Sequence, residues 1–162
     1  MAAMAPSSRH RHDYRLRTVW AGASKGALSG GGDYSRDLEV QVAGKAALPA
    51  STAPAYGGDD SKHNPEDLLL AALSTCHLLS YLALAARAGL PVAAYEDDAS
   101  CVVDMKDGRV RVTEATLRPP VTLAAGGDAE KATKLHAQAH QICFIANSLN
   151  FPVTIEPQIV TP

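Results

Sequence analysis

Two cysteines, Cys76 and Cys143, are the residues of this chain best suited to chemistry. Cys76 falls in the middle of one predicted helix and Cys143 near the end of a second, and two core helices in a small domain usually pack together. Thiols placed in this way can form a reversible dithiol and disulfide pair, which a redox enzyme needs for attack and resolution. The same positions also suit two buried structural cysteines. The residues alone leave both readings open.

A reactive Cys76 needs a positive charge that its own helix cannot supply. The cysteine lies 12 residues past Asn64, the predicted N-cap, which is too far for the helix dipole to act. Apolar surroundings raise the pKa of a thiol, so a cation must come from another part of the chain. The candidates are Arg15, Arg17, Arg36 and Lys62, with His77 and His140 as weaker ones.

The stretch from Asn64 to Gly89 predicts a long helix around Cys76. Asn64 is a preferred N-cap, Pro65 suits the first helical position, and glycine is a common helix stop. Glu66 lies in the first turn, where a carboxylate interacts favourably with the dipole. Because leucines occupy every face, we expect this helix to be buried nearly all round.

The remaining elements predict an α+β fold. A second helix, amphipathic, is expected from Asp128 to about Ser148. Asp107-Gly108 predicts a type I′ hairpin turn, and the tail after Phe151 predicts an edge strand. Strands grouped before and after two helices favour α+β over a doubly wound sheet. Other strands are predicted over residues 14–20, 38–42, 99–105 and 109–117, and residues 21–33 predict a loop or a loose hairpin.

Composition limits the domain count and the classes of partner. The chain of 162 residues is 46% hydrophobic, which suits a disordered tail over residues 1–12 and one domain over residues 13–162. The net charge of −2 provides no basic field for nucleic acid. We expect neither a signal peptide nor a membrane span. Three cysteines make no disulfide framework and fit a reducing cytoplasm, and Cys101 is expected to pack within a strand.

Histidines offer a metal-binding alternative. His136, His140 and Cys143 share one helical face and could be ligands of a transition metal. One helix supplies no fourth ligand, however, so we expect no metal site. His77 points about 100° away from its neighbour Cys76, which argues against a direct catalytic pair. We interpret His77 as a core histidine.

Two segments carry a resemblance to a known family. Residues 64–77 read Asn-Pro-Glu-Asp-Leu-Leu-Leu-Ala-Ala-Leu-Ser-Thr-Cys-His, and residues 140–149 read His-Gln-Ile-Cys-Phe-Ile-Ala-Asn-Ser-Leu. A Pro-Glu pair before the first cysteine, with a second cysteine ahead of Asn-Ser, resembles the OsmC/Ohr family of organic hydroperoxide reductases. The likeness runs from about Tyr14 to Ile155. It is greater to the OsmC-like branch, which has Cys-His at the first cysteine, than to the Ohr branch proper.

The resemblance implies roles for four residues. Cys76 would be the peroxidatic thiol, Cys143 the resolving thiol, and Glu66 the acid that orients a catalytic arginine. No arginine matches the family pattern unambiguously, and Arg36 is our choice, with Lys62 as the fallback. The implied architecture is an OsmC-like fold in which two long central helices pack against antiparallel β-sheets of an intertwined homodimer.

The implied activity is that of a thiol-dependent peroxidase. It would reduce organic hydroperoxides to alcohols through a Cys76 sulfenic acid and a Cys76–Cys143 disulfide, without a cofactor other than an external thiol or dithiol reductant. Its partners would be the hydroperoxide, the reductant and a second copy of the chain, with no nucleic acid and no membrane. An alternative is an OsmC-like redox sensor or small-ligand-binding protein with weak or no peroxidase activity.

Helix geometry constrains how Glu66 and Cys76 could share a site. Ten residues of continuous helix separate them by about 15 Å along the axis and roughly 80° around it. No glycine or proline lies between them to break the helix. If both act together, we expect Glu66 to come from the other subunit of a two-fold dimer.

Overall fold

The computed structural model describes residues 11–28, 30 and 34–162. It divides into two compact units, Met1–Pro65 and Glu66–Pro162. The predicted disordered tail lies largely outside the described residues, as does part of the glycine-rich loop predicted after Trp20. Within the described part of that loop, Ala21–Lys25 form a 3-10 helix.

The first unit is built on a three-stranded antiparallel sheet. Its strands are β1 (Arg17–Trp20), β2 (Leu38–Gln41) and β3 (Leu48–Ala50), with β2 in the centre. β1 pairs with β2 from Arg17 opposite Gln41 to Trp20 opposite Leu38. The strand therefore begins three residues after the predicted Tyr14, whose side chain is 90% exposed. The alternation of side chains predicted strand geometry for residues 14–16 as well, but these residues pair with no described strand.

A network of polar groups holds the long loop that follows β3. Lys62 Nζ lies 2.7 Å from an Asp37 carboxylate oxygen and 3.0 Å from one of Asp59. The backbone N–H of Asp59 donates to Ser51 Oγ at 3.2 Å, and the N–H of Ser51 donates to the carbonyl of His63 at 2.9 Å. Because hydrogen bonds from Ser61 and Lys62 stabilise its charged form, the pKa of Asp59 falls to about 2. The loop is thus tied to the residue that precedes β2.

Helix α1 spans Pro65–Arg87 without a break. Its ends agree with the prediction, but its burial does not. Leu73, His77, Tyr81 and Ala85 are buried at a spacing of four, whereas Leu79 on another face is 65% exposed. The expectation of burial nearly all round is therefore wrong for the isolated chain, because the second unit covers one stripe of the helix. By length and composition α1 could also cross a membrane, a test that core helices of soluble proteins pass as well.

The second unit contains two three-stranded sheets. One has the order β4-β7-β9 and the other β5-β6-β8. β5 and β6 form the predicted hairpin, in which Asp107 and Gly108 both have positive φ, 53° and 73°, as a type I′ turn requires. The strands are β4 (Val92–Tyr95), β5 (Ser100–Lys106), β6 (Arg109–Leu117), β7 (Pro120–Leu123), β8 (Val153–Ile155) and β9 (Gln158–Val160).

The two sheets of the second unit are mixed, which corrects the prediction of antiparallel sheets for this part of the chain. β8 pairs in parallel with β6, and β9 pairs in parallel with β7. The predicted single edge strand is thus two short strands separated by Glu156 and Pro157, each at the edge of a different sheet. Parallel pairing needs a long crossover, and here α2 lies between the partner strands in sequence.

Helix α2 spans Ala129–Ile142, which is shorter than predicted. Its N-cap agrees with the prediction, since the Asp128 carboxylate accepts the N–H of Lys131 at 3.0 Å. At the other end Cys143 leaves helical geometry, with φ −71° and ψ 110°. Side chains beyond it bond to nearby backbone, with Asn147 Nδ2 donating to the carbonyl of Gln141, and such bonds compete with helix continuation. Cys143 is therefore a C-cap residue and not part of the helix interior.

Candidate functional site

The structure brings Cys76 and Cys143 together. All three cysteines are free thiols, and the Cys76 side chain is within hydrogen-bonding reach of the Cys143 thiol. Cys76 is half-buried on α1, whereas Cys143 is fully buried at the end of α2. Cys101 instead packs against the apolar cluster around Leu73. The described residues thus contain the dithiol arrangement that sequence spacing left open.

The two thiols differ in their environments. Burial and the contact with Cys76 raise the pKa of Cys143 to about 11, although the backbone N–H groups of Ala146 and Ile145 act in the opposite direction. The Ala146 N–H donates to Cys143 Sγ at 3.4 Å. A thiol that keeps its proton is a poor first nucleophile, since the thiolate is the reactive form. The electrostatics therefore disfavour Cys143 as the first nucleophile of a thiol reaction.

A layer of buried polar side chains connects α1 and α2. His77 Nε2 and His136 Nδ1 are 3.1 Å apart, and the Tyr81 ring stacks on His136 with centroids separated by 4.2 Å. His77 is 0% exposed and His136 2%. His77 is a core histidine as predicted, but it is not fully satisfied, since its Nδ1 has no hydrogen-bond partner within the described part of the chain. His136 also lies in the core, and so is not available as a surface ligand.

Both histidines are held neutral. Burial is the main reason that the pKa of each falls to about 4. The nearby His140 lowers the pKa of His77 further, whereas Asp97 acts to raise it. The unfolded chain, with ordinary histidine pKa values, therefore binds more protons than the folded chain between about pH 6.5 and pH 4. Stability contributed by this layer is present above that window and is lost as the pH falls through it.

We predict a loss of unfolding free energy of about 2 kcal/mol per histidine on going from pH 7.5 to pH 5. Urea unfolding at the two pH values measures it. A double variant, His77→Leu with His136→Leu, should show a much smaller difference between the two pH values, whereas His63→Gln, at an exposed histidine, should behave as the wild type. Equal wild-type stability at pH 7.5 and pH 5 would contradict the prediction.

The metal-binding alternative gains no support from this geometry. Across residues 11–28, 30 and 34–162, no three or more His, Cys, Asp or Glu side chains converge in a way that could hold an ion. His136 uses Nδ1 toward His77, and Cys143 faces Cys76. His136 and Cys143, which were predicted to share a helical face with His140, thus contact different residues of α1.

Glu66 lies in the first turn of α1, ten residues before Cys76. It is half-buried in the first turn, where an acid interacts favourably with the helix dipole. Because α1 is continuous from Pro65 to Arg87, Glu66 and Cys76 of one chain remain about 15 Å apart along the axis. One chain by itself does not place both in one site.

Arg36 lies in the first unit beside a cavity of about 430 Å³. Its guanidinium carbon is 4.5 Å from the centroid of the Tyr34 ring, and Nη1 donates to the Tyr34 carbonyl at 3.2 Å. Glycine at position 57 suits this arrangement for two reasons. Its φ of +76° lies in the left-handed region that favours glycine, and an added Cβ would come within 3.3 Å of the guanidinium carbon of Arg36. The guanidinium is therefore held in a defined orientation at the cavity wall.

Lys62, the fallback cation, is committed elsewhere. Its ammonium group forms ion pairs with Asp37 and Asp59, and these contacts raise the pKa of Lys62. An ammonium neutralised by two carboxylates is poorly placed to stabilise a thiolate as well. The structure therefore argues against Lys62 as the activating cation, and the role of Arg36 stays a prediction.

Comparison with known proteins identifies the family. The sequence profile described as "OsmC-like protein" matches residues 58–158, which is more than half of the chain and includes both Cys76 and Cys143. The chain belongs to the OsmC-like family. Its fold, with two helices and mixed sheets, is the OsmC-like fold.

Relatives of this OsmC-like chain cover nearly its whole length. An OsmC-like protein of unknown function from Vibrio cholerae, VCA0330, is 28% identical, has a TM-score of 0.84 and covers 91% of this chain and 99% of its own. The uncharacterized protein YmaD of Bacillus subtilis is 23% identical over 90% of this chain and 91% of its own length. An organic hydroperoxide resistance protein from Elizabethkingia anophelis shares the fold, with 19% identity, a TM-score of 0.66 and coverage of 94% and 99%.

Two features of the OsmC-like chain were missed by sequence reasoning. One is the pairing of His77 with His136 across 59 residues. The other is the aromatic lining of the cavity beside Arg36, which brings together Trp20, Tyr34 and Tyr56. The spacing of four between His77 and Tyr81 on α1 was a signal for the first, since residues four apart share a helix face. The second had no local signal, because its residues come from separate loops and strands.

Proposed function

We propose that this protein is a thiol-dependent peroxidase that reduces organic hydroperoxides to alcohols. The contact between the Cys76 and Cys143 thiols carries the proposal. Membership of a family with relatives named organic hydroperoxide resistance proteins supports it. Two free thiols that come from separate parts of the chain and interact with each other are the arrangement from which a reversible disulfide can form.

The chemistry follows from the different environments of the thiols. The Cys76 thiolate attacks the distal oxygen of the hydroperoxide, the O–O bond breaks, and the alkoxide takes up a proton to leave as the alcohol. Cys76 is then a sulfenic acid. The Cys143 thiol attacks its sulfur, the hydroxyl group leaves as water with the Cys143 proton, and a Cys76–Cys143 disulfide forms. Two external thiols, or one dithiol, restore the reduced pair and become a disulfide.

Arg36 is the residue we assign to charge stabilisation. Its planar guanidinium, held against Tyr34 and Gly57, could stabilise both the thiolate and the departing alkoxide. The role of Glu66 would be to orient this arginine by a charge-assisted hydrogen bond. Because Glu66 and Cys76 are at different turns of one continuous helix, we assign Glu66 to the site of the partner subunit.

A homodimer is supported by the apolar surface that the isolated chain leaves exposed. Around the thiols, Leu79 is 65% exposed and Phe144 80% exposed. The β5–β6 hairpin exposes further apolar side chains at Val102, Val103, Met105 and Val110. Exposed apolar surface of this extent marks an interface, and burial of α1 by a second copy would satisfy its all-round apolar sequence. We propose an intertwined homodimer located in the reducing cytoplasm, where the thiols would be regenerated.

A redox sensor is the second candidate function. The raised pKa of Cys143 favours it, since a protonated resolving thiol closes the disulfide slowly and lets the sulfenic acid persist. Sustained turnover would separate the two functions, because a sensor needs one oxidation per signal and a peroxidase needs many.

Reaction of the reduced protein with hydroperoxide tests the proposal. One equivalent of cumene hydroperoxide should link Cys76 to Cys143 and leave Cys101 free, as read by peptide mapping. Addition of dithiothreitol, glutathione or a lipoyl dithiol should then support continued consumption at rates that identify the preferred reductant. Recovery of three unmodified thiols would remove the peroxidase function, and a single oxidation without turnover would favour the sensor.

A further inference from the structure

Apolar packing does not fix the rotation of helix α1 about its axis. Leucines occupy several faces of the helix, from the buried Leu73 to Leu79, which is 65% exposed. Because the hydrophobic effect is non-directional, such a helix can bury much the same apolar area in more than one rotation. Cys76 and His77 point about 100° apart, so a rotation of that size would exchange a thiol for an imidazole at a given contact. Directional contacts must therefore select the rotation in which Cys76 meets Cys143.

Two polar contacts lie on one face of α1. The Ser74 hydroxyl donates to Asp97 Oδ2 at 2.5 Å. Three residues further along the helix, His77 Nε2 lies 3.1 Å from His136 Nδ1. Residues three apart share a helix face, so the two contacts hold this face to two different elements, the loop between β4 and β5 and helix α2. Hydrogen bonds have preferred distances and angles, so these contacts oppose a rotation of α1 that the leucines would allow.

The Asp97 carboxylate is itself held in place. Its Oδ1 accepts the backbone N–H of Arg118 at 2.7 Å. The Arg118 side chain in turn donates to Glu156 at 3.1 Å and to Ser100 Oγ at 2.9 Å. Each oxygen of the carboxylate thus has its own donor, and the bond from the Ser74 hydroxyl is charge-assisted, which makes it stronger than a bond between neutral groups. Asp97 therefore connects α1 to the turn between β6 and β7.

We propose that Asp97 is a positioning residue for Cys76. By accepting the Ser74 hydroxyl, it holds α1 in the rotation at which the Cys76 thiol meets the Cys143 thiol. Asp97 acts through the helix and not on the reacting atoms. The inference rests on the dithiol of the proposed function, to which it adds the residue that aligns the two sulfur atoms.

The equilibrium between the thiol pair and its disulfide tests the inference. Oxidised glutathione takes two hydrogen atoms from Cys76 and Cys143 and becomes two molecules of glutathione. The ratio of the two protein forms in a glutathione buffer therefore gives the effective concentration of one thiol at the other. Ser74→Ala removes the donor, and Asp97→Asn removes the charge of the acceptor. Each variant should lower the effective concentration by about ten-fold, because a helix that rotates more freely makes closure of the disulfide less favourable.

Each variant has a matched control. Thr75→Ala removes the next hydroxyl along α1, which bonds to the carbonyls of Ala71 and Ala72 in the same helix. Asp107→Asn removes the same charge from the hairpin turn, where the carboxylate accepts from Arg111 at 3.1 Å. Both controls should stay within about two-fold of the wild-type effective concentration. Because alanine is a better helix former than serine or threonine, neither alanine variant should weaken α1 itself.

A double variant separates action through Ser74 from an independent effect of Asp97. If Asp97 acts through the hydroxyl, Ser74→Ala combined with Asp97→Asn should lie within about two-fold of Ser74→Ala alone. Losses that multiply in the double variant, an unchanged equilibrium in Ser74→Ala, or an equal loss in Thr75→Ala would each overturn the inference. A general loss of stability does not produce the expected pattern, since both redox forms are compared within the folded protein.

Failure of this inference is distinguishable from failure of the proposed function. If the wild type forms the disulfide but consumes no hydroperoxide, the peroxidase function is overturned, and the glutathione equilibrium still decides the role of Asp97. If no disulfide forms, phenylarsine oxide replaces glutathione, since it binds two neighbouring thiols at once without oxidising them. About ten-fold weaker binding to Ser74→Ala than to Thr75→Ala would then support the inference, and equal binding would overturn it.

Discussion

The Cys76→Ser protein should consume no organic hydroperoxide above the background of the reductant, a loss of roughly a thousand-fold or more. A serine hydroxyl cannot form a sulfenic acid, and Cys143 cannot take over because burial, the largest cause of its shift, still raises its pKa in this variant. Steady-state turnover of cumene hydroperoxide with a dithiol measures the loss. The Cys101→Ser protein is the matched control and should turn over as the wild type, since Cys101 packs from strand β5 against the apolar residues around Leu73 and no interaction with Cys76 or Cys143 is seen for it among the described residues.

The Cys143→Ser protein should behave differently from both the Cys76→Ser protein and the Cys101→Ser protein. Its Cys76 can still be oxidised, so we expect one equivalent of alcohol per subunit in the first turnover. Without a resolving thiol, excess hydroperoxide should then convert Cys76 to sulfinic and sulfonic acids, which mass spectrometry detects as added oxygen atoms. Undiminished turnover in both Cys76→Ser and Cys143→Ser would show that the two thiols are structural.

Mixing two inactive homodimers should restore activity if each site is shared between subunits. Glu66→Ala and Cys76→Ser proteins should each be nearly inactive alone. Refolded together from equal amounts, they should regain roughly a quarter of wild-type activity, because half of the random dimers are mixed and each holds one intact site of two. The reason is the continuity of α1, which keeps Glu66 and Cys76 of one chain about 15 Å apart along the axis.

A second mixture supplies the control for subunit exchange. Cys76 and Cys143 contact each other within one chain, so Cys76→Ser mixed with Cys143→Ser creates no complete dithiol and should not regain sustained turnover. Mass spectrometry under native conditions should show mixed dimers in both samples. If mixed dimers of Glu66→Ala and Cys76→Ser are present and remain inactive, Glu66 acts only as a helix-dipole partner at the start of α1.

Local signals in the sequence predicted the elements that carry the site. The Pro65 start and Gly89 stop bounded α1, and Asp107-Gly108 predicted the hairpin turn. These features depend on backbone preferences of neighbouring residues, which act over one or two turns. The same local signals were wrong about the end of α2, which was predicted near Ser148. The helix ends at Ile142, because Cys143 departs from helical geometry and later side chains bond back to the backbone.

The sequence by itself determined the family, the α+β class and the placement of one thiol within the first helix and of the other near the end of the second. Only the tertiary structure decided that Cys76 meets Cys143, that His77 meets His136, and that Lys62 is paired with two carboxylates. It also decided that one face of α1 stays exposed in a single chain and that the last two strands pair in parallel. The physical reason is the distance along the sequence over which each interaction acts. Propensities and caps act between near neighbours, whereas contacts between distant residues form only when the whole chain packs its core.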